Sequence, residues 1–434
     1  MMSSGRAAPG MLSGHPMMMA GLLLAFGACG DHGTQSPGPP PPPPPSPPPL
    51  SGRLLHMFAP GTVGFYYGPP TLVGDHIYIG TSRGVNYPVY AGNAFYKLTL
   101  ALVKVWEHPL GSKEVRGGAT LDSQGNIYFV VEEGRTPGNT SNASLSLYSI
   151  DSNGAFRWSK PVLTHDPMVG MENPAIAVDN TIYVGGRELY AFAVDGQLKW
   201  SHLVGGFIIN APIIDPAGNI YLQAVGSIVS VTPTGTRRWT FATSGEYLSS
   251  PAFSADYSSV FVAVHDKVYR LRSSTGEKLW EFTPPGMTGE FRATPAVDAG
   301  DNVYLGTKAD TQSVFYAIKA DGSGLLWQNP VGGDLYSSPA LGDDGTLYVG
   351  SESARQLHAL DLRNGAEKWS TPLLGDATWS SPVIAPGGTL YIASIDVQGK
   401  GGALYAFRTD AGGLMPNAGS PRFHEGNAST GRRQ

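Results

Sequence analysis

Residues Ser338–Trp369 read SPALGDDGTLYVGSESARQLHALDLRNGAEKW, and this stretch decides the fold. Its first part, Ser338–Gly350, is a short apolar run, a turn at Asp343, Asp344 and Gly345, and an alternating strand around Tyr348, which together spell a β-hairpin. Its second part, Leu357–Trp369, repeats the plan with a turn at Gly365 and ends on Trp369. Two hairpins in succession make a four-stranded antiparallel unit.

The unit recurs along the chain. First hairpins include GPPTLVGDHIYIG from Gly68, NPAIAVDNTIYVG from Asn173 and TPAVDAGDNVYLG from Thr294, and eight of them align on Tyr78, Tyr128, Tyr183, Tyr221, Phe261, Tyr304, Tyr348 and Tyr391. Their spacing of roughly forty to fifty residues is the period of a propeller blade. Second hairpins close on Trp106, Trp158, Trp200, Trp239, Trp280, Trp327 and Trp369, read as blade-docking residues because an indole buries a large face between neighbouring sheets. The eighth copy, ALYAFRTDAGGLM from Ala403, lacks the closing Trp, and the extended run Leu54–Phe58 supplies the missing strand. The expected fold is all-β: an eight-bladed β-propeller with four antiparallel strands per blade, closed by the N-terminal strand so that no sheet edge is left to pair with another chain.

Ala359, Asp361, Gly365 and Trp369 fit the spacing A-x-D-x-x-x-G-x-x-x-W, which resembles the pyrroloquinoline-quinone repeat over roughly Leu54 to Asp410. The final stretch FHEGNASTGR, Phe423–Arg432, resembles a segment found at the ends of such chains. That family holds quinoprotein dehydrogenases and the non-enzymatic propeller lipoprotein of the outer-membrane barrel-assembly machinery. The resemblance therefore implies either a quinone enzyme or a protein-binding scaffold.

Composition bounds the choice. With 57 Gly and only 15% charged residues, the chain suits short strands and tight turns. A formal charge of −5 without basic runs leaves no footprint for nucleic acid. Cys29 is the only cysteine, which excludes an internal disulfide, a Cys-x-x-Cys zinc site and the adjacent cysteine pair of the larger quinoprotein dehydrogenases. It follows MMMAGLLLAFGA, Met17–Ala28, an apolar core of signal-peptide length, and Gly27 and Ala28 immediately before it resemble a lipoprotein cleavage site. The expected organisation is a lipoprotein signal peptide over residues 1–28, a Pro-rich linker over 29–52, the propeller over 53–412 and a C-terminal tail over 413–434. The linker, nearly all Pro from Pro37 to Pro49, is a stiff spacer that reaches on the order of 40 Å as polyproline II. Export to the cell envelope is expected, with Cys29 lipidated, the membrane touched only through that anchor, and the protein facing periplasm or surface as an outer-membrane lipoprotein.

In a propeller the position three residues before each first-hairpin Pro, or before Ala119 in the second copy, enters the channel mouth. Tyr66, Arg116, Arg292, Tyr336 and Trp379 stand there, together with Met171, Ile209 and Leu248, and the two guanidiniums fall four blades apart. They form the candidate channel-mouth site, able to hold an anionic or planar ligand of unknown identity. Long insertions at residues 83–93, 132–144 and 396–402 fall on blades one, two and eight, neighbours around the ring, where a protein partner would dock. Acids such as Asp179, Asp215, Asp298 and Asp343 recur at turns, where backbone hydrogen bonding accounts for them. No catalytic motif or metal-ligand spacing is present. The reading is a binding scaffold without cofactor, metal or catalytic residue that takes an envelope protein as partner. A dehydrogenase using pyrroloquinoline quinone with calcium, or a surface carbohydrate-binding or adhesion module, stands as the alternative.

Overall fold

Each first hairpin is realised as one antiparallel strand pair, as is each second hairpin save that of the eighth copy, and the pairs join into eight sheets. In blade 7 the strands Ala340–Leu341, Thr346–Gly350, Gln356–Asp361 and Glu367–Pro372 follow one another outward from the ring axis. The computed structural model describes residues 51–432 except 62, 66, 83–91, 135–142, 165–172, 209, 245–248, 310–311, 378, 397–400 and 427. The insertion loops of blades one, two and eight therefore lie largely outside the described residues.

The eighth blade is completed by the other end of the repeat. Leu54–Phe58 pairs antiparallel with Gly402–Arg408, placing Met57 opposite Tyr405 and Phe58 opposite Leu404. The eighth Trp is missing because this outer strand comes from a different part of the chain. Blades then meet through apolar clusters, each shared by two neighbours. One of these joins Leu72 and Ile77 of blade 1 to Val383 and Leu404 of blade 8, so the ring is closed by packing as well as by hydrogen bonds.

The seven tryptophans lie on the outermost strands and act on the next blade. Trp327 Nε1 donates to the Leu362 carbonyl at 2.9 Å, and its ring lies where a Cβ on Gly365 would stand, 2.4 Å from the indole. Trp158 and Trp239 likewise donate to Val194 and Ser273 of the following blade. Gly365 has φ +73°, so the repeat's glycine is demanded twice, by the turn and by the indole. Trp369 finds its glycine at Gly52, just before the closing strand, with φ +81° and a Cβ position 3.0 Å from the ring.

Blades 2 and 6 carry one strand more than the repeat predicts. Glu114–Val115 pairs with Ile127–Glu133, and Glu290–Phe291 pairs with Val303–Lys308. Both lie on the loop face, opposite the tight turns, and both lead directly into an arginine.

Candidate functional site

The two extra strands position the two arginines of the channel mouth differently. Arg116 is fully buried: its guanidinium lies 3.6 Å from the centre of the Tyr67 ring and its Nη1 is 3.1 Å from Glu132 Oε2. Strand register sets Glu114 opposite Glu132, so a second carboxylate is buried nearby. A buried ion is costly unless paired, and Glu132 supplies that pairing. Arg292 remains partly exposed and pairs with Glu290, Nε to Oε1 at 2.7 Å, while register sets Glu290 opposite Lys308. The sequence repeats itself here as Glu-Val-Arg at residues 114–116 and Glu-Phe-Arg at 290–292, a likeness that points to Glu290 as the partner of Arg292 but not to Glu132 as that of Arg116.

Tyr336 and Trp379 are brought together, ring centres 4.7 Å apart at 56°, in a cluster with Tyr67, Ala211 and Phe423. Burial first, and Glu352 next, raises the Tyr336 phenol above its usual range, so it is a neutral hydroxyl. Tyr67 touches both groups, joining Arg116 to the aromatic cluster. Tyr66, Met171, Ile209 and Leu248 lie outside the described residues.

Phe423 reaches this cluster because the C-terminal segment fills the ring's centre. Entering on the turn face, Gly412 N–H donates to Asp343 Oδ1 at 2.7 Å and Met415 N–H donates to the Leu341 carbonyl at 2.8 Å. The segment then accepts hydrogen bonds from inner strands around the axis. Val297 N–H donates to Ser420 O, Leu341 N–H to Pro421 O, Ile176 N–H to Thr430 O and Ile214 N–H to Gly431 O, at 2.6 to 3.0 Å. These donors sit on the bore-facing edges of first strands and would otherwise lack a strand partner. No repeat pattern marks the segment, so nothing in its periodicity could have placed it there.

The segment carries charge into the core. Arg422, fully buried, donates to the carbonyls of Pro382 and Gly426 at 2.9 and 2.5 Å, and burial pushes its guanidinium down to about 9. Glu425 Oε1 accepts from the Ser420 hydroxyl at 2.6 Å. Burial, with a further contribution from Arg422, pushes the His424 imidazole down to about 3. It is therefore neutral at ordinary pH, and its Nε2 sits 3.0 Å from the Pro212 carbonyl, where it serves as donor. His424, Glu425 and Ser429 all have left-handed backbone, at φ 59°, 72° and 48°, held by this network.

Of the recurring turn acids, Asp179, Asp215 and Asp298 are engaged locally, whereas Asp343 accepts from Gly412 of the C-terminal segment and the local bonds of its turn go to Asp344. Asp215 accepts from Asn219 N, Asn219 Nδ2 and Tyr221 Oη, and Asp298 accepts from Asn302 and Tyr304 in the same way. Among the described residues, no group of three or more His, Cys, Asp or Glu is placed to hold a metal ion. Among the same residues, no helix is long and apolar enough to cross a membrane.

A family model described as outer membrane protein assembly factor BamB matches residues 142–371 and 264–429. Tetrathionate hydrolase of Acidithiobacillus ferrooxidans is 25% identical over 227 residues, 51% of this chain and 41% of that protein. Serine/threonine-protein kinase AfsK of Streptomyces griseus is 27% identical over 266 residues, 56% of this chain and 30% of that one. The chain thus spans less than half the length of either relative. Among solved structures, BamB from Moraxella catarrhalis superposes with a TM-score of 0.59 at 14% identity, covering 82% of this chain and 99% of that one. Quinohemoprotein alcohol dehydrogenase from Comamonas testosteroni gives 0.62 at 11% identity, covering 84% and 77%. At these identities the two structures share the fold with this chain, and the same fold serves a BamB and a dehydrogenase.

Proposed function

The chain belongs to the pyrroloquinoline-quinone-repeat propeller family, the one described as outer membrane protein assembly factor BamB, and from that membership we propose that it is a non-enzymatic docking propeller of the cell envelope. One observation carries the choice over an enzyme: the bore of the ring is filled by the chain's own C-terminal segment. A planar, polyanionic quinone needs an open slot and uncommitted cationic donors. Here Phe423 packs in the aromatic cluster with Trp379, and Arg116 is enclosed between Tyr67 and Glu132. The residues present do not fit that cofactor. Asp215, whose oxygens already accept three hydrogen bonds, does not offer calcium a free carboxylate either.

A ring filled at its centre offers its rim loops instead. The partner is a protein of the envelope, engaged across the loops of blades eight, one and two, with Cys29 lipidated and the proline run holding the ring clear of the membrane. Tetrathionate hydrolysis does not carry over, since the match covers 41% of that enzyme.

Cross-linking and pull-down from native envelopes test the docking face: deleting residues 134–142 should remove a partner captured by the intact protein, and unchanged capture overturns that face. Fractionation tests the anchor, with Cys29→Ser expected to leave the membrane fraction. Adding pyrroloquinoline quinone with calcium and following dye reduction tests the enzyme alternative, and measurable turnover would reverse the choice.

A further inference from the structure

On the turn face, away from the docking loops, the inner turns of blades 3, 4 and 5 and the end of the C-terminal segment enclose a cavity of about 400 Å³. We propose that this cavity binds a small aromatic carboxylate, with Arg432 as the group that holds its charge.

Arg432 is fixed by its surroundings. The two residues before it are clamped to adjacent blades, Thr430 O by Ile176 N–H at 3.0 Å and Gly431 O by Ile214 N–H at 2.6 Å. Its own Nε donates to the Ile176 carbonyl at 3.0 Å, which sets the plane of the guanidinium beside the cavity. The two terminal nitrogens have no partner among the described residues. Such a fork matches a carboxylate in two parallel charge-assisted hydrogen bonds.

The acids that share the cavity do not compete for it. Asp215 already accepts three hydrogen bonds, from Asn219 and Tyr221. Asp179 accepts from Thr181 N–H and hydroxyl at 2.9 and 2.8 Å and faces Lys199 at 3.5 Å. Asp215 keeps its negative charge, since its donors are neutral, but its oxygens face Asn219 and Tyr221, while Arg432 presents its donors to the cavity.

The remaining walls are apolar and flat. Pro216, Ala217 and Pro233 line the cavity, and Val178 stands 78% exposed at it. Tyr257 is held in a left-handed conformation, φ 61°, with its carbonyl taken by the Ser273 hydroxyl at 2.7 Å and its ring 5.0 Å from that of Phe253. Rigid proline and tyrosine faces favour a planar body, and the volume lies within the range of small-ligand sites.

The test is a titration of the folded full chain with 2-naphthoate, read by the probe's fluorescence anisotropy. Saturable binding is expected, at least tenfold weaker for the neutral 2-naphthamide and at least tenfold weaker in Arg432→Gln. In Ala217→Trp, which fills the cavity from an exposed position, binding should be lost with an unchanged melting temperature. N-acetylphenylalanine distinguishes sources: weaker binding than naphthoate assigns the site to a free acid, and equal or tighter binding assigns it to a peptide C-terminus. Absence of saturable binding, equal affinity for the amide, or undiminished binding in Arg432→Gln overturns the proposal.

Discussion

Trp327 and Gly365 show how one residue pair writes the repeat. The glycine's positive φ and the indole above it are separable costs, because Gly345 has nearly the same backbone, φ +71°, with nothing within 4 Å of its Cβ position. Gly345→Ala should therefore cost only the left-handed penalty of about 1–2 kcal/mol. Gly365→Ala must also displace Trp327 and should cost about 2 kcal/mol more, a difference that paired urea titrations would read directly. His424 offers a second test at this scale. Its folded value of about 3 lies below the ordinary 6.5, so the unfolded chain binds the proton more readily. Stability from this group is complete above pH 6.5 and is lost as pH falls from there toward 3, at up to about 1.4 kcal/mol per pH unit. His424→Asn, which keeps a donor for the Pro212 carbonyl, should flatten the acid side of the stability profile, and an unchanged slope would assign the acid loss to other groups. Residue chemistry was only half legible beforehand. The spacing of Arg116 leads to the channel mouth, but its neutralising partner, Glu132, meets it through a two-residue strand that no alternation pattern announces.

Strands and turns were the most readable level, because a hairpin's signature is local: alternation, turn residues and a closing aromatic all fall within about fifteen residues. Even closure was readable, since a missing Trp at one end matches an unpaired strand at the other. The role of Gly52 was not, because it imitates a turn glycine where the two ends of the ring meet and only Trp369 reveals it. These relations separate two truncations. Removing residues 1–50 takes nothing from the eighth sheet and should leave the melting temperature unchanged. Removing residues 1–61 also takes away Leu54–Phe58 and exposes the edge of Gly402–Arg408. It removes the contact of Phe58 with Tyr96, ring centres 5.0 Å apart, and should cost about 3 kcal/mol or more. Light scattering should rise in the second variant alone, because an uncovered strand edge recruits other chains. Equal stability of the two would remove Leu54–Phe58 from the closure of the ring.

At the scale of the whole molecule, a ring of eight sheets presents an axial hole that its own repeats do not fill. The C-terminal segment resolves this by behaving as an internal ligand, tied to inner strands on opposite sides of the axis and bringing Phe423 to the aromatic cluster of the mouth. A centre filled in this way is occupied by the chain itself. A segment held by hydrogen bonds and packing rather than by repeat geometry should be separable from the ring. A variant ending at Gly412 should keep its β-sheet circular dichroism, since every blade strand is retained, and should melt at a lower temperature. A synthetic peptide of residues 413–434, added in excess, should restore stability by about 1.4 kcal/mol for each tenfold rise in concentration above its dissociation constant, as required for a ligand that binds only the folded ring. The same peptide with Phe423→Ala should bind more weakly, because it loses the one large apolar side chain that the mouth cluster buries. If the shortened chain melted like the intact one, or the peptide left its melting temperature unmoved, the segment would be a passenger in the bore, and the filled centre would no longer favour a docking over a catalytic propeller.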